Sequence, residues 1–143
     1  MSIGPNIWGP HLWKSIHMIA LGYPSNPTDQ QKKYYKSFFE ILYHVIPCSL
    51  CSDNYKKNLL DLPLSDDVLK NNKSLTYWTI DLHNIVNRET GKKEYSYNEA
   101  ITHIFNNYNL KNKNNFLIII YLVLILIILI TVIVVYKKFN LKR

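Results

Sequence analysis

The chain of 143 residues holds two cysteines, and they stand close together in the sequence Pro47-Cys48-Ser49-Leu50-Cys51. Two thiols three positions apart lie on one face of a helical turn, near enough to form a small, reducible disulfide. A structural disulfide stabilises a protein mainly by closing a long loop of the unfolded chain, and a bridge over two residues closes almost none. The pair is therefore predicted to be a redox centre.

Two other uses of the cysteine pair stay open at the level of local sequence. Cys48 and Cys51 could supply half of a zinc site that His44 or His11 completes, although no second cluster of cysteine and histidine follows. A thioredoxin-like domain also carries such a pair, but it needs strands that alternate with helices, and the sequence shows no convincing strand pattern. Redox chemistry on a helical scaffold is the favoured interpretation.

Helix signals divide the first 108 residues into five predicted helices. Pro10 suits the first turn of a helix, where its missing N–H costs nothing. Thr28, with Gln31 three residues later, has the pattern of a capping box, and Pro47 is expected to end the helix that follows. The predicted helices cover residues 10–21, 29–46, 48–62, 74–88 and 97–108.

The fourth predicted helix has an apolar stripe at helical spacing. Leu75, Trp78 and Leu82, followed by Ile85 or Val86, are expected to face the core. The polar residues of this helix are expected on its other faces: Asp81, His83, Asn84 and Asn87.

Residues 116–136 form an apolar run without charge, proline or glycine. At about 1.5 Å per residue the run is roughly 32 Å long, enough to cross a bilayer core of about 30 Å. A buried core helix is the alternative, but such a helix usually has a polar face. The run is predicted to be a transmembrane helix, joined to the domain by a polar linker at 109–115 and followed by a basic tail at 137–143.

The orientation of this span has two opposing indications. The first 13 residues lack the basic and apolar segments of a secretory signal, so the anchor is the C-terminal one and the domain is expected to face the cytosol. Positive flanking residues favour the cytoplasmic side, and more of them follow the span (Lys137, Lys138, Lys142, Arg143) than precede it (Lys111, Lys113). We give more weight to the C-terminal position of the anchor, so the domain is expected to face the cytosol.

The net charge of +7 is scattered over the chain. No basic platform with interleaved aromatic residues is present, so no nucleic-acid partner is predicted. The basic tail is expected to meet anionic lipid.

The ordered motifs of this chain resemble the Erv/Alr family of FAD-linked sulfhydryl oxidases, and especially the forms encoded by large cytoplasmic DNA viruses. The resemblance rests on the motifs Trp13-Lys-Ser-Ile-His17, Tyr23-Pro24, Pro47-Cys48-Ser-Leu-Cys51, Trp78-x-x-x-x-His83-Asn84-x-Val86-Asn87 and Gly91-Lys92. It implies an all-α fold, a four-helix bundle with a short fifth helix, over residues 1–108. It also implies FAD as cofactor and a homodimer.

The resemblance implies roles for particular residues. Cys48 and Cys51 would be catalytic, and no residue is expected to bind a metal. Aromatic and imidazole rings stack on flat ring systems, amides offer paired donors and acceptors, and lysine neutralises phosphate. The residues expected to contact FAD are Trp13, His17, Tyr23, Trp78, His83, Asn84, Val86, Asn87, Lys92 and Tyr95.

Two departures from the family pattern affect the expected mechanism. Gly9 is followed by Pro10 and His11, where the cellular enzymes often have an arginine, and the distal shuttle pair of cysteines is missing. Electrons are therefore expected to come directly from a thiol-containing substrate protein or a thioredoxin-like carrier, and to pass through FAD to O2, giving hydrogen peroxide. The alternative function is a membrane-anchored helical interaction protein or metal-binding adaptor without redox activity. The predicted location is a virion or host membrane.

Overall fold

The computed structural model describes residues 3–107 and 115–140, and every regular element in these two ranges is helical. The chain divides into two compact units, one ending at Ile104 and the other beginning at Phe105. The helices are α1 (Pro5–Leu21), α2 (Asp29–Ile41), α3 (Ser49–Asp61), α4 (Asn72–Glu89), α5 (Tyr97–Asn107) and α6 (Asn115–Asn140). Short 3-10 turns occupy Leu42–Val45 and Val68–Lys70.

Helix α1 begins five residues earlier than predicted. Pro5 occupies the first helical position, which is the role that the sequence pattern gave to Pro10, and Pro10 lies inside the helix. A second proline at the true start of the helix is therefore the reason for the difference. Ile16, His17 and Ala20 of α1 are buried.

The prediction of one continuous helix up to Ile46 is wrong. Helix α2 begins at the predicted capping box of Thr28 and Gln31, but it ends at Ile41, and a 3-10 turn follows. The tighter turn keeps Leu42 buried while Val45 is 73% exposed. Ile46 then adopts the extended conformation that a residue before proline requires, so the chain changes direction ahead of the cysteines.

Helix α4 supplies much of the core and packs along α1. Leu75, Trp78 and Leu82 are buried, as the sequence predicted. The Trp78 indole meets the Phe39 ring edge-on at 5.3 Å between centroids, an arrangement worth about 0.5–1.5 kcal/mol beyond area burial. Asn87, which was expected on another face, is only 6% exposed and lies in the interior instead.

Helix α5 is held against α4 by an aromatic pair. The Tyr97 and Tyr77 rings stack 4.0 Å apart with 3° between their planes, and the Tyr97 hydroxyl donates a hydrogen bond of 3.0 Å to Asp81. The predicted end of this helix at Tyr108 lies outside the described residues.

Helix α6 has 26 residues and covers the predicted span. Its segment Ile120–Lys138 has a mean hydropathy of 2.9, and none of it is buried within the protein. By length and composition it could cross a membrane. Asn115, the last residue of the predicted linker, is the first residue of the helix, whereas residues 109–114 and 141–143 lie outside the described part of the chain.

Candidate functional site

Cys48 and Cys51 form a disulfide at the start of α3. Their Cα atoms are 5.2 Å apart, and both side chains are half-buried. Cys48 is the N-cap residue of the helix, because its Sγ accepts a hydrogen bond of 3.2 Å from the backbone N–H of Cys51. The positive end of the helix therefore lies at this sulfur, a position that favours negative charge.

Several residues next to the disulfide are exposed to solvent. Pro47 and Ser49 on either side of Cys48 are exposed, and Leu50 is 69% exposed. After Cys51 the chain is tied down, because the Ser52 hydroxyl donates a hydrogen bond of 2.7 Å to the carbonyl of Tyr43. Cys48 is the sulfur with exposed neighbours on both sides.

An aromatic cluster forms where α1 and α4 run antiparallel. The Trp13 and His83 rings stack 4.0 Å apart with 5° between their planes, and the His17 ring lies 5.2 Å from that of His83. His17 Nε2 is 3.0 Å from His83 Nδ1, and His17 Nδ1 is 3.1 Å from the hydroxyl oxygen of Thr79. The cluster thus joins two imidazoles and an indole in one packed group.

Both imidazoles of the cluster are neutral at physiological pH. Burial lowers the pKa of His17 from 6.5 to about 4. Burial, together with smaller electrostatic contributions from His17, Lys92 and His103, lowers the pKa of His83 from 6.5 to about 3. Each ring therefore offers one N–H donor and one nitrogen acceptor.

The loop after α4 turns back along the helix. Gly91 has a φ of +68°, in the left-handed region that glycine favours, and it lets the chain reverse just after the helix ends. The N–H of Lys92 then donates a hydrogen bond of 2.7 Å to the carbonyl of Asn87. Lys92 is thereby held close enough to His83 for its charge to act on that ring.

Asn84 clamps the far end of this loop. Its amide nitrogen donates a hydrogen bond of 2.8 Å to the carbonyl of Tyr95, and its amide oxygen accepts one of 2.9 Å from the N–H of Tyr95. Arg88 adds a two-pronged ion pair with Glu94 on the outside, the shorter contact being 2.6 Å. The loop at 91–96 is therefore fixed to α4 at both ends.

The sequence pattern of the Erv1/Alr family matches residues 10–108, a segment that includes the disulfide, the aromatic cluster and the clamped loop. This chain belongs to the Erv1/Alr family. The family prediction made from the ordered motifs is thereby confirmed.

Relatives of this Erv1/Alr chain come from viruses and from cells. It is 43% identical over 114 residues to the "Probable FAD-linked sulfhydryl oxidase R368" of Acanthamoeba polyphaga mimivirus, a match that covers 80% of each chain. It is 32% identical over 94 residues to an FAD-linked sulfhydryl oxidase of African swine fever virus, covering 64% of this chain and 75% of that protein. The mitochondrial FAD-linked sulfhydryl oxidase ERV1 of Saccharomyces cerevisiae is 31% identical over 90 residues, which are 63% of this chain and 46% of the yeast protein.

The fold of this Erv1/Alr chain also has solved counterparts. The crystal structure of the yeast Erv1 core superposes with a TM-score of 0.61 at 29% identity, over 66% of this chain and 77% of the yeast chain. The all-helical fold is therefore that of the family, as the sequence motifs predicted.

The residues predicted to contact FAD fall into three groups in this structure. Trp13, His17 and His83 form the aromatic cluster. Five others lie on the following turn of α4 or on the clamped loop that returns to it: Asn84, Val86, Asn87, Lys92 and Tyr95. His83 and Asn84 are consecutive residues of α4, so the first two groups adjoin.

The third group, Tyr23 and Trp78, lies in the hydrophobic core, and both side chains are 2% exposed. The Tyr23 hydroxyl donates to the carbonyl of Leu69 at 2.9 Å, and the Trp78 indole N–H donates to the carbonyl of Leu62 at 3.0 Å. The polar atoms of both residues are already used within the protein. Their contact with FAD stays a prediction.

Thr79 and His103 join the site without having been predicted. Thr79 is fully buried and bonds to His17, while the ring of His103 lies 5.6 Å from that of Tyr95 and acts electrostatically on His83. Neither residue belongs to a motif. The helical spacing of four between Thr79 and His83 is the signal that could have placed Thr79 on the same face.

Proposed function

We propose that Cys48 and Cys51 take two electrons from a dithiol of a partner protein and pass them to FAD, so that the chain forms disulfides in its partner. FAD-linked sulfhydryl oxidation is the activity of the family to which the chain belongs, and the match confirms this activity and the cofactor. The observation that carries the proposal is the disulfide at the start of α3, inside the matched segment. The position and chemistry of the two cysteines support their redox role.

The residues around the aromatic cluster fit a flavin nucleotide. Trp13, His17 and His83 provide aromatic faces for a flat ring system, and the two imidazoles are neutral, so they would bind an uncharged ring. Exposed Lys92 would neutralise phosphate. Asn84 would act mainly by fixing the loop that carries Lys92 and Tyr95, because its side-chain amide already holds the backbone of Tyr95.

The first half of the reaction is a thiol–disulfide exchange. A thiolate of the partner attacks Cys48 Sγ, the bond between the two sulfurs breaks, and Cys51 leaves as a thiolate. A second thiolate of the partner then attacks the partner sulfur of the mixed disulfide and expels Cys48. The helix start stabilises the Cys48 thiolate, and a sulfur of lower pKa leaves faster, so the structure favours this release.

The second half restores the disulfide. Bound FAD would supply the two-electron chemistry of this half, by which the electrons of the Cys48 and Cys51 dithiol would reach O2 and give hydrogen peroxide. The two cysteines lose two protons and re-form their bond. The given sequence has two cysteines and so no second pair within it, and we propose that the dithiol of the partner reaches Cys48 directly.

The test is reduction of the bound flavin under anaerobic conditions. Full-length chain purified with FAD should show the visible flavin band, which dithiothreitol should bleach and air should restore with formation of peroxide. Cys51→Ser should slow the bleaching by about 100-fold or more, since the variant cannot form the disulfide that dithiothreitol reduces. FAD should stay bound, because the aromatic cluster is unchanged.

Ser49→Ala is the matched control, because Ser49 lies exposed in the same helical turn and carries no thiol. It should bleach at the rate of the unmodified chain. Bleaching of Cys51→Ser at the same rate would show that electrons bypass the pair. A folded chain that takes up no FAD would instead support the anchored adaptor.

We further propose that α6 anchors the domain in a membrane and that the protein is a homodimer. Support for the anchor is the apolar segment Ile120–Lys138, with a mean hydropathy of 2.9. The family resemblance supports the dimer. Alkaline carbonate should leave the full chain in the membrane fraction, and sedimentation in detergent should give twice the mass of one chain. Release by carbonate, or a single-chain mass, would contradict the respective proposal.

The orientation of the anchor is a separate proposal, in which the oxidase domain faces the cytosol. A glycosylation acceptor site added to the N-terminus should stay unmodified in microsomes, whereas one added after residue 143 should be glycosylated. The reverse pattern would show that the basic residues following the span decide its orientation.

A further inference from the structure

The hydroxyl of Thr79 has one proton and two close neighbours. Its oxygen lies 2.8 Å from the carbonyl oxygen of Thr76 and 3.1 Å from Nδ1 of His17. A carbonyl can only accept a hydrogen bond, and two oxygens at 2.8 Å with no proton between them repel each other. The Thr79 hydroxyl therefore donates to Thr76. The Thr79 oxygen can then only accept a further hydrogen bond. Nδ1 of His17 must therefore carry the proton and donate it to this oxygen.

This assignment continues to the second imidazole. A neutral ring carries one N–H, so His17 with its proton on Nδ1 has an acceptor at Nε2. Nδ1 of His83 lies 3.0 Å from that acceptor and must carry its own proton to donate to it. Nε2 of His83 is then left with a lone pair. Burial of both rings keeps them neutral, which is the condition that the chain of hydrogen bonds requires.

The geometry points to Thr79 as a positioning residue that sets the tautomers of both His17 and His83 and makes Nε2 of His83 a hydrogen-bond acceptor. An acceptor at this nitrogen matches an N–H or O–H group of the flavin nucleotide and mismatches a phosphate oxygen. This consequence rests on the proposed contact between His83 and FAD. The direction of the hydrogen bonds rests on the protein alone.

Helix α4 offers a matched control one turn away. Thr76 is also a buried threonine, 2% exposed, but its hydroxyl has no hydrogen-bond partner in the part of the chain that the structure describes. Thr76→Val keeps the backbone carbonyl that accepts the hydrogen bond of Thr79 and removes only the unpartnered hydroxyl. Thr79→Val has the same shape change but removes the acceptor of His17.

The tautomers can be read directly by nitrogen NMR of the full-length chain with FAD, in detergent, after labelling its histidines with 15N. Protonated and unprotonated ring nitrogens have well-separated shifts. We expect protonated Nδ1 and unprotonated Nε2 in both His17 and His83. A proton on Nε2 of His17 in the unmodified chain would overturn the proposal, and no variant is needed for this result.

The variants test the role of Thr79. In Thr79→Val, the proton of His17 should move to Nε2, and that of His83 should follow to its own Nε2, which turns the acceptor into a donor. FAD should bind about tenfold more weakly, the equivalent of one hydrogen bond. Thr79→Ser should restore the original tautomers and affinity, and Thr76→Val should change neither.

The outcomes separate this inference from the proposed function. Unchanged tautomers in Thr79→Val would overturn the role of Thr79. If the tautomers shift as expected but His83→Leu binds FAD as tightly as the unmodified chain, the contact between His83 and FAD is wrong, while the chain of hydrogen bonds stands.

Discussion

Replacing Asn84 with alanine should destabilise the domain by loosening the loop at 91–96. The change removes two hydrogen bonds of 2.8 and 2.9 Å to the backbone of Tyr95. At about 1 kcal/mol each they contribute about 2 kcal/mol. Alanine is the better helix former by about 0.5 kcal/mol, so the expected net loss is about 1.5 kcal/mol.

A loss of this size is measurable by heating. For a domain of about 100 residues, 1 kcal/mol moves the melting temperature by about 4–8 °C, so Asn84→Ala should melt about 6–12 °C lower at a fixed FAD concentration. The amide proton of Tyr95 should also exchange faster with solvent. Asn84→Asp should be no better than alanine, because its second carboxylate oxygen would face the carbonyl of Tyr95.

Asn54→Ala is the control for helix propensity, because Asn54 is exposed in the middle of α3. It should raise the melting temperature slightly. If Asn84→Ala were as stable as Asn54→Ala, and the exchange of the Tyr95 amide were unchanged, the clamp would not stabilise the loop.

Two further changes follow from the same structure. Burial lowers the pKa of His17 to about 4, and burial with nearby electrostatic contributions lowers that of His83 to about 3, so the unfolded chain binds more protons below pH 6.5. The free energy of unfolding should therefore be greatest above this pH. It should fall as the pH drops toward 4, by about 3 kcal/mol for His17 alone. Denaturant titrations across this range measure the fall, and a flat profile would show that the rings are charged in the folded state. Gly91→Ala should cost about 1 kcal/mol through its φ of +68°, since no atom lies within 4 Å of the added carbon. Gly9→Ala, equally uncrowded but inside α1, should stabilise the protein, and equal melting temperatures for the two variants would contradict this reasoning.

The sequence predicted those helix ends and core positions that depend on neighbouring residues alone. Thr28 and Gln31 form the expected capping box, and Leu75 and Leu82 of α4 lie in the core. The end of α2 at Ile41 was not predictable in this way, because an apolar stripe continues through the 3-10 turn and only tertiary packing decides where the turn tightens.

The sequence predicted which residues belong to the candidate site better than it predicted what each residue does there. The order of the motifs predicted that both Trp13 and His83 belong to the site, and their rings stack in the structure. Which aromatic residues enter the core depends on the packing of all helices at once. The sequence alone therefore could not show that Trp78 packs beside Phe39 in the core. Helical spacing from His83 could have placed Thr79 on the same face, but its hydrogen bond to His17 could not be predicted, because that bond depends on how α1 packs against α4.

The sulfur of Cys48 has two tasks, since it caps α3 and also changes oxidation state. A thiolate accepts a hydrogen bond more strongly than a sulfur in a disulfide, so the cap becomes tighter when the pair is reduced. We therefore expect the cap of α3 to persist in both redox states. The amide proton of Cys51 becomes an internal reporter, because its resonance should follow the charge on Cys48 during turnover.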